Sequence, residues 1–423
     1  MPDEKTKGPV PLLRFPEFRD AGPWEVRTIQ DLAEKIAQGG TPKTSVAEYW
    51  NGEIPWITPA EMGDDAANHY TERTSRAITV EGLQNSSAEL LPVNSVIISS
   101  RAPIGYVTIN KVEMATNQGC KGIVPRADVY HEFLYFSLLV ASRRLNDLGA
   151  GGGFKEISAS TLKVFPIPVP GLSEQQKIAD CLGSLDDLIR AEEAALEALK
   201  KHKKGLMQQL FPHEGETTPR LRFPEFRDAG PWEVKRLGDL GKILKGKGIS
   251  KSDITEGGAL ACIHYGELYT HYPEVIREIV SSTDVNPDNL VLSEKNDVII
   301  PASGETREDI ATASCLTEKG VALGGDLNIF RSALNGAFLA YYIRGNLKAE
   351  ISRVAQGDAV VHLYPSQLEK VKLAIPPKRN EQQKIADFLS SLDDLIRARS
   401  KRIEALKQHK KGLMQQLFPQ EID

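Results

Sequence analysis

A chain of 423 residues has material for two or three domains, and 41% apolar with 26% charged residues is an ordinary globular composition. A net charge of −5 excludes a protein that holds duplex nucleic acid by bulk positive charge, so any such surface must be a local patch or be shared with a partner. Cys120, Cys181, Cys262 and Cys315 are scattered with no CxxC pair, which excludes a disulfide framework and a cysteine zinc site.

The leader MPDEKTKGPV has no apolar core, and the longest apolar run, near residues 133–141, is too short for a bilayer. The expectation is a cytoplasmic protein without membrane contact. Residues 15–26 read FPEFRDAGPWEV, and the same string returns at 223–234. Phe15, Phe18 and Trp24 are too irregularly spaced for one helix face, and Pro16 and Pro23 forbid a helix interior. This is an extended, aromatic-anchored clamp docking on something common to both halves, such as the helix ends, or a linker copied along with its domain.

Residues 27–171 form a variable block punctuated by glycine and proline (GGTP, EIPWITP), with β-like runs such as VIISS. A helix is expected from Val129 to about Leu148, then a glycine loop at 149–154 and a Pro-rich exit, FPIPVPG. The second block, 235–378, repeats the plan rather than the letters. NDVIIPAS stands where NSVIISS stood, and a helix is expected from about Ala337 to Val354. Both blocks read as mixed α/β with strands outnumbering helices.

After each block comes nearly the same helix, EQQKIADCLGSLDDLI…HKKGLMQQLFP at 174–212 and EQQKIADFLSSLDDLI…HKKGLMQQLFP at 381–419, a period of 207 (381 − 174) that marks a duplicated domain. Ile178, Leu182, Leu185, Ile189, Leu196, Leu199, Leu206 and Leu210 alternate steps of four and three, with Glu192 and Lys203 at the missing places. The second copy carries Ile385, Leu389, Leu392, Ile396, Ile403, Leu406, Leu413 and Leu417, with Arg399 and Lys410 as interruptions. That is an a/d seam roughly 50 Å long, and its obvious partner is the other copy. The alternative is two amphipathic helices that each pack on their own domain. The lysines and arginines clustered on both helices, Lys200 to Lys204 and Arg397 to Lys411, are first of all a solvated face.

No catalytic apparatus stands out. GKILKGKG at 241–248 nearly fits the phosphate-binding loop spacing, but Gly248 occupies the place of the magnesium-binding hydroxyl. The Pro287-Asp288 and Glu294-Lys295 pairs lack nuclease spacing, no Asp/Asn-Pro-Pro-aromatic segment is present, and the histidines form no HExxH motif.

The two helical repeats, the FPIPVP and LAIPP exits before them, and the RAPIGYV (101–107) and NQGCKGI (117–123) segments resemble a type I restriction-modification specificity subunit over essentially the whole chain. The resemblance implies a pseudo-twofold duplicated α/β (α+β) chain. Two mixed α/β target recognition domains would be joined by two long helices forming an intramolecular antiparallel coiled coil. The segments would be 1–171 (clamp and first domain), 172–212 (first helical repeat), 213–378 (linker and second domain) and 379–423 (second repeat). Each domain would read one half of an asymmetric, gapped double-stranded DNA site, with the coil as the ruler of the unread gap. Two methyltransferase subunits would modify adenine with S-adenosylmethionine, and restriction subunits would add the ATP- and magnesium-dependent motor and nuclease. The chain itself would bind no cofactor or metal and catalyse nothing.

Base readers follow from chemistry alone: Arg and Lys for guanine, Asn and Gln for adenine, aromatics for stacking. Lys43, Arg101, Asn117, Gln118 and Lys155 are the candidates in the first domain, and Lys247, Lys251, Tyr265, Arg307, Asn328 and His362 in the second. Lys43, Lys155, Lys247 and Lys251 serve equally as phosphate contacts. Two further readings stay open: a scaffold whose variable domains bind proteins, and a specificity subunit that has lost recognition.

Overall fold

The computed structural model describes residues 8–63, 69–101, 103–148, 156–306, 309–357 and 361–419. It divides into two compact units, Met1–Ala194 with Lys401–Asp423, and Ala195–Ser400. Each unit combines one variable block with part of both long helices.

In the first unit the central sheet runs Ala33–Gln38, Cys120–Pro125, Val96–Ser99, Val107–Asn110, Tyr70–Thr71, and a smaller sheet runs Ala77–Ile78, Trp50–Ile57, Ala115–Thr116. The second unit repeats both orders with Gly241–Lys245, Leu327–Ser332, Val298–Pro301, Ser314–Leu316, Val275–Ile276, and with Ser281–Thr283, Leu260–Ile263, Ala322–Leu323. Alternation along the central strands divides two cores. Val96 and Ile98 join Phe133 and Leu134 of helix His131–Leu148, while Ile97 faces Met114 and Cys120. Val298 and Ile300 likewise separate from Ile299. A strand covered on both faces reads as an unbroken apolar run, which is why VIIS and VIIP look alike.

One expected element is divided. In place of a single helix at 337–354 there are two, Gly336–Gly345 and Lys348–Val354. The break is at Asn346, whose Nδ2 donates to Phe211 O at 2.7 Å, satisfying an orphan carbonyl at the end of the preceding long helix.

The long helices are Leu172–Leu210 and Arg379–Leu417, 39 residues each. Every one of the sixteen seam positions is buried or half-buried. Pairing is antiparallel: in the first unit Asp186 meets Lys410 at 2.5 Å, Glu192 meets Arg402 at 3.3 Å and Glu193 meets Lys407 at 2.6 Å. In the second, Lys203 meets Asp393 at 2.5 Å. The seam also runs on into the domain cores, with Ile178 and Leu182 beside Leu417 and Phe133, and Ile385 and Leu389 beside Leu210 and Phe338. Coil pairing and packing on the domain are thus both realised. Among the described residues, no helix is long and apolar enough to cross a membrane.

The repeated clamp docks on helix ends. Arg14 donates from Nε and Nη2 to the two oxygens of Glu174, each at 2.7 Å, and Trp24 Nε1 donates to the same carboxylate at 3.3 Å. Arg222 and Trp232 treat Glu381 identically, at 2.7, 2.8 and 3.2 Å. Glu174 and Glu381 lie in the first turns of the long helices, where the helix dipole favours an anion. The same clamps reach the far end of the opposite helix. Leu13 N donates to Gln416 O and Leu221 N to Gln209 O, both at 2.9 Å, and Trp24 and Trp232 meet Phe418 and Phe211 edge-on. Each such aromatic pair adds about 0.5–1.5 kcal/mol beyond burial.

Candidate nucleic-acid interface

In each unit the central and small sheets meet at a corner that brings distant loops together. Gly39 N donates to Cys120 O and Gly40 N to Thr116 O, while Gly246 N donates to Leu327 O and Lys247 N to Leu323 O. A Cβ at Gly39 would fall 1.6 Å from Asn117 O, and one at Gly246 would fall 2.1 Å from Gly324 O. Only glycine permits that approach, so GGTP and GKG mark the same corner. The second is no phosphate-binding loop: Gly241–Lys245 is a strand, and the chain leaves it into a three-residue turn, Lys251–Asp253, rather than a helix.

At the first corner Thr41 Oγ1 donates to Gln118 Oε1, leaving the exposed Gln118 carboxamide held with its NH2 free of that contact. Asn117 Oδ1 accepts from Gly119 N at 2.9 Å. Ser100 N donates to Gly119 O at 2.7 Å, which brings in the neighbouring Arg101, exposed and 3.1 Å from Glu156. Lys43 is exposed two residues beyond Thr41. Beneath the loop Lys121 is 5% exposed and donates from Nζ to Gln118 O at 3.2 Å. Burial holds its pKa below the ordinary lysine value, with Glu156 opposing.

At the second corner Lys247 is exposed, Ala302 N donates to Asp326 O, and Ser303 Oγ lies 3.2 Å from His362 Nδ1. Tyr269 donates to Ser303 O at 2.5 Å and carries Tyr265 against it edge-on at 6.3 Å. Lys251 is exposed in the adjoining turn. Lys155 and Arg307 lie outside the described residues.

Asn328 is not available at this surface. It is fully buried, at 0% exposure, and its Nδ2 donates to Leu363 O at 2.8 Å, so it ties strands together instead of facing outward. It pairs with Ile300 as Lys121 pairs with Ile98. Nothing local predicts this, because the register that buries it is set by pairing with the separate strand Val298–Pro301.

Sequence reasoning missed Trp50, Trp56 and Arg76. The guanidinium of Arg76 lies 3.8 Å over the Trp50 ring and 5.1 Å from that of Trp56. The two tryptophans flank EIP in a segment whose prolines drew attention away from them. The exposed Arg76 guanidinium suits a phosphate, while Trp56, 3% exposed and donating from Nε1 to Gly40 O at 2.9 Å, braces the corner backbone. Among the described residues no group of three His, Cys, Asp or Glu could hold a metal ion. A 440 Å³ recess lies away from the corners, at the clamp beside Arg14, Trp24 and Glu174.

The type I restriction modification DNA specificity domain profile matches this chain twice, at residues 22–201 and 230–408. The MjaIX type I restriction enzyme specificity subunit of Methanocaldococcus jannaschii is 32% identical over 93% of this chain and 92% of its own length. The EcoR124I/EcoR124II specificity subunit of Escherichia coli is 34% identical over 42% of this chain and 43% of its own. Among solved structures, the type I S subunit from M. genitalium shares the fold at a TM-score of 0.59 and 16% identity, covering 98% of this chain and 100% of that one.

Proposed function

The chain belongs to the type I restriction-modification DNA specificity family, and from that premise we propose that its two corners are the surfaces that read the two halves of a gapped duplex site. It is the DNA sequence-recognition subunit of a type I complex and is not itself the catalyst. The observation that supports the corner reading is the contrast within the chain. Clamps, helices and sheet orders repeat, while the corner residues differ: exposed Thr41, Lys43, Arg101 and Gln118 with half-buried Asn117 in one domain, exposed Lys247 and Lys251 with half-buried Tyr265, Ser303 and His362 in the other.

Gln118 is the best-defined base reader of the first corner. With its carbonyl taken by Thr41, the amide offers donors, which suits an acceptor in the major groove such as guanine O6 or N7 more than the bidentate pairing with adenine. The lysines at both corners then contact phosphate.

The helices carry the partner surface in this reading. Exposed Asp180, Ser184, Asp187, Leu188 and Ala191 recur as Asp387, Ser391, Asp394, Leu395 and Ala398. This polar face with an exposed leucine recurs unchanged beside diverged domains, which suits two copies of one protein, the methyltransferase subunit. S-adenosylmethionine, and for cleavage ATP and magnesium, belong to partner subunits, and the assembly works in the cytoplasm.

The test is a methylation map. The chain is co-expressed with its cognate methyltransferase subunit and host DNA is sequenced for modified adenine. A gapped, two-part motif with one methylated adenine per strand is expected. A stable complex that leaves DNA without any motif sinks the proposal and favours a silent subunit or a protein scaffold.

A further inference from the structure

Each long helix carries one seam lysine that is almost fully buried, Lys203 at 8% and Lys410 at 5% exposure. In the second unit Lys203 Nζ lies 2.8 Å from Glu274 of the recognition domain, 2.5 Å from Asp393 of the opposite helix, and 5.2 Å from the Tyr341 ring. Tyr341 in turn donates to Asp393 at 2.5 Å. In the first unit Lys410 lies 2.5 Å from Asp186 and 5.5 Å from the Phe136 ring. The place of Glu274, just before the edge strand, is taken there by His69, 3% exposed. Its Nδ1 is 3.6 Å from Asp186 and its Nε2 3.7 Å from Glu132.

We propose that Lys203 and Lys410 are positioning residues that fix each recognition domain on its helical mount, and that the mount of the first domain is complete only while His69 is protonated.

The two matching sites differ in their charge count. The second site holds two carboxylates, Glu274 and Asp393, and two permanent cations, Lys203 and Arg344. The Arg344 guanidinium is anchored on Ala313 O and Tyr272 O at 2.7 and 2.9 Å. The first site also holds two carboxylates, Glu132 and Asp186, but only one permanent cation, Lys410. With His69 neutral, one buried negative charge is left over; with His69 protonated, the site balances. Buried charge that is not compensated is strongly destabilising.

The remaining groups around His69 do not supply the missing charge. Tyr70 donates to Glu132 and stacks beside the imidazole at 4.5 Å, and Tyr135 and Phe136 close the other sides at 5.2 and 5.9 Å. His131 is 3.4 Å from the Tyr70 hydroxyl, and burial holds its pKa down. Lys111 caps the outer face of the Tyr70 ring at 4.8 Å, and Arg190 pairs with Asp187. For His69 itself, burial disfavours the charge, but Asp186 and Glu132 outweigh it and raise the imidazole above its ordinary 6.5. A raised folded value means the stabilisation is fully present below pH 6.5 and is lost as pH rises through the folded value.

For DNA reading the consequence rests on the function proposed above: fidelity at the first half-site falls with rising pH, and at the second it does not. The mount itself is tested without DNA. Hydrogen exchange of the full chain is followed at pH 6 and pH 8, with exchange times scaled for the intrinsic rate. Helix His131–Leu148 is expected to lose protection on the rise, about tenfold per unit of pKa displacement, while helix Gly336–Gly345 holds. His69→Gln should abolish that difference. Lys410→Met should open only the first helix, Lys203→Met only the second, and arginine at either position should restore protection. Equal pH response in both units, or a response that survives His69→Gln, overturns the proposal. Because a methionine variant can fail to fold, the wild-type imidazole titration is read separately by NMR, where a His69 midpoint at or below 6.5 also overturns it.

Discussion

The two clamps of this chain agree side chain for side chain, Arg14–Glu174–Trp24 against Arg222–Glu381–Trp232, with distances matching to 0.1 Å. The corners carried by those clamps agree only in backbone: Gly39 and Gly246 make the same contact, yet Gln118 and Thr41 have no like neighbours in the second domain. Duplicated parts that serve a shared frame keep their chemistry, and those that face separate ligands keep only their shape. This chain therefore contains its own control, and substitutions placed in pairs test whether its halves are equivalent.

The largest effect is expected at the clamps. Arg14→Ala leaves the Glu174 carboxylate, 2% exposed, without its bidentate partner, and Arg222→Ala does the same to Glu381. Each should cost about 3–5 kcal/mol in urea denaturation. Costs differing between the halves by more than the measurement error would break the equivalence of the frames. Next come the glycines. Gly39→Val or Gly246→Val forces a side chain onto backbone oxygen and should cost about 1–3 kcal/mol while disturbing one half-site. Loss at both half-sites, seen in a methylation map, would deny that the corners act separately.

Smaller effects should separate reading from holding. Gln118→Ala is expected to relax one base position of one half-site by about 1–3 kcal/mol, measured as the methylation rate ratio on matched and mismatched duplexes. Lys43→Ala and Lys247→Ala should weaken binding evenly across sequences and lower the salt slope by about 1 each. A base preference altered by either lysine would move it from phosphate contact to reader.

Much of this frame was legible because its signal is periodic. The sixteen seam residues are read from spacing alone, and all are sheltered. The clamp is visible as a copied string and the helix ends as its docking place, but the carboxylate it grips is not, since Arg14 and Glu174 are 160 residues apart. Spacing puts Lys203 and Lys410 on the seam while composition puts them in a solvated basic run, and burial decides for the seam. Only the assembled unit shows each reaching an aspartate on the other helix. Asn328 shows the reverse: a polar letter in GGDLNIF promises a loop, and strand pairing buries it. The helix at 337–354 was expected whole because Asn346 is tolerated in helices, and its cap on Phe211 is a tertiary fact.

The most direct measurement exchanges residues 36–171 for another recognition domain, keeps both clamps and helices, and maps methylated adenine before and after. One half of the gapped motif is expected to change and the other half to stay as it was. A change in both halves, or in neither, would contradict the claim that each corner reads its own half-site.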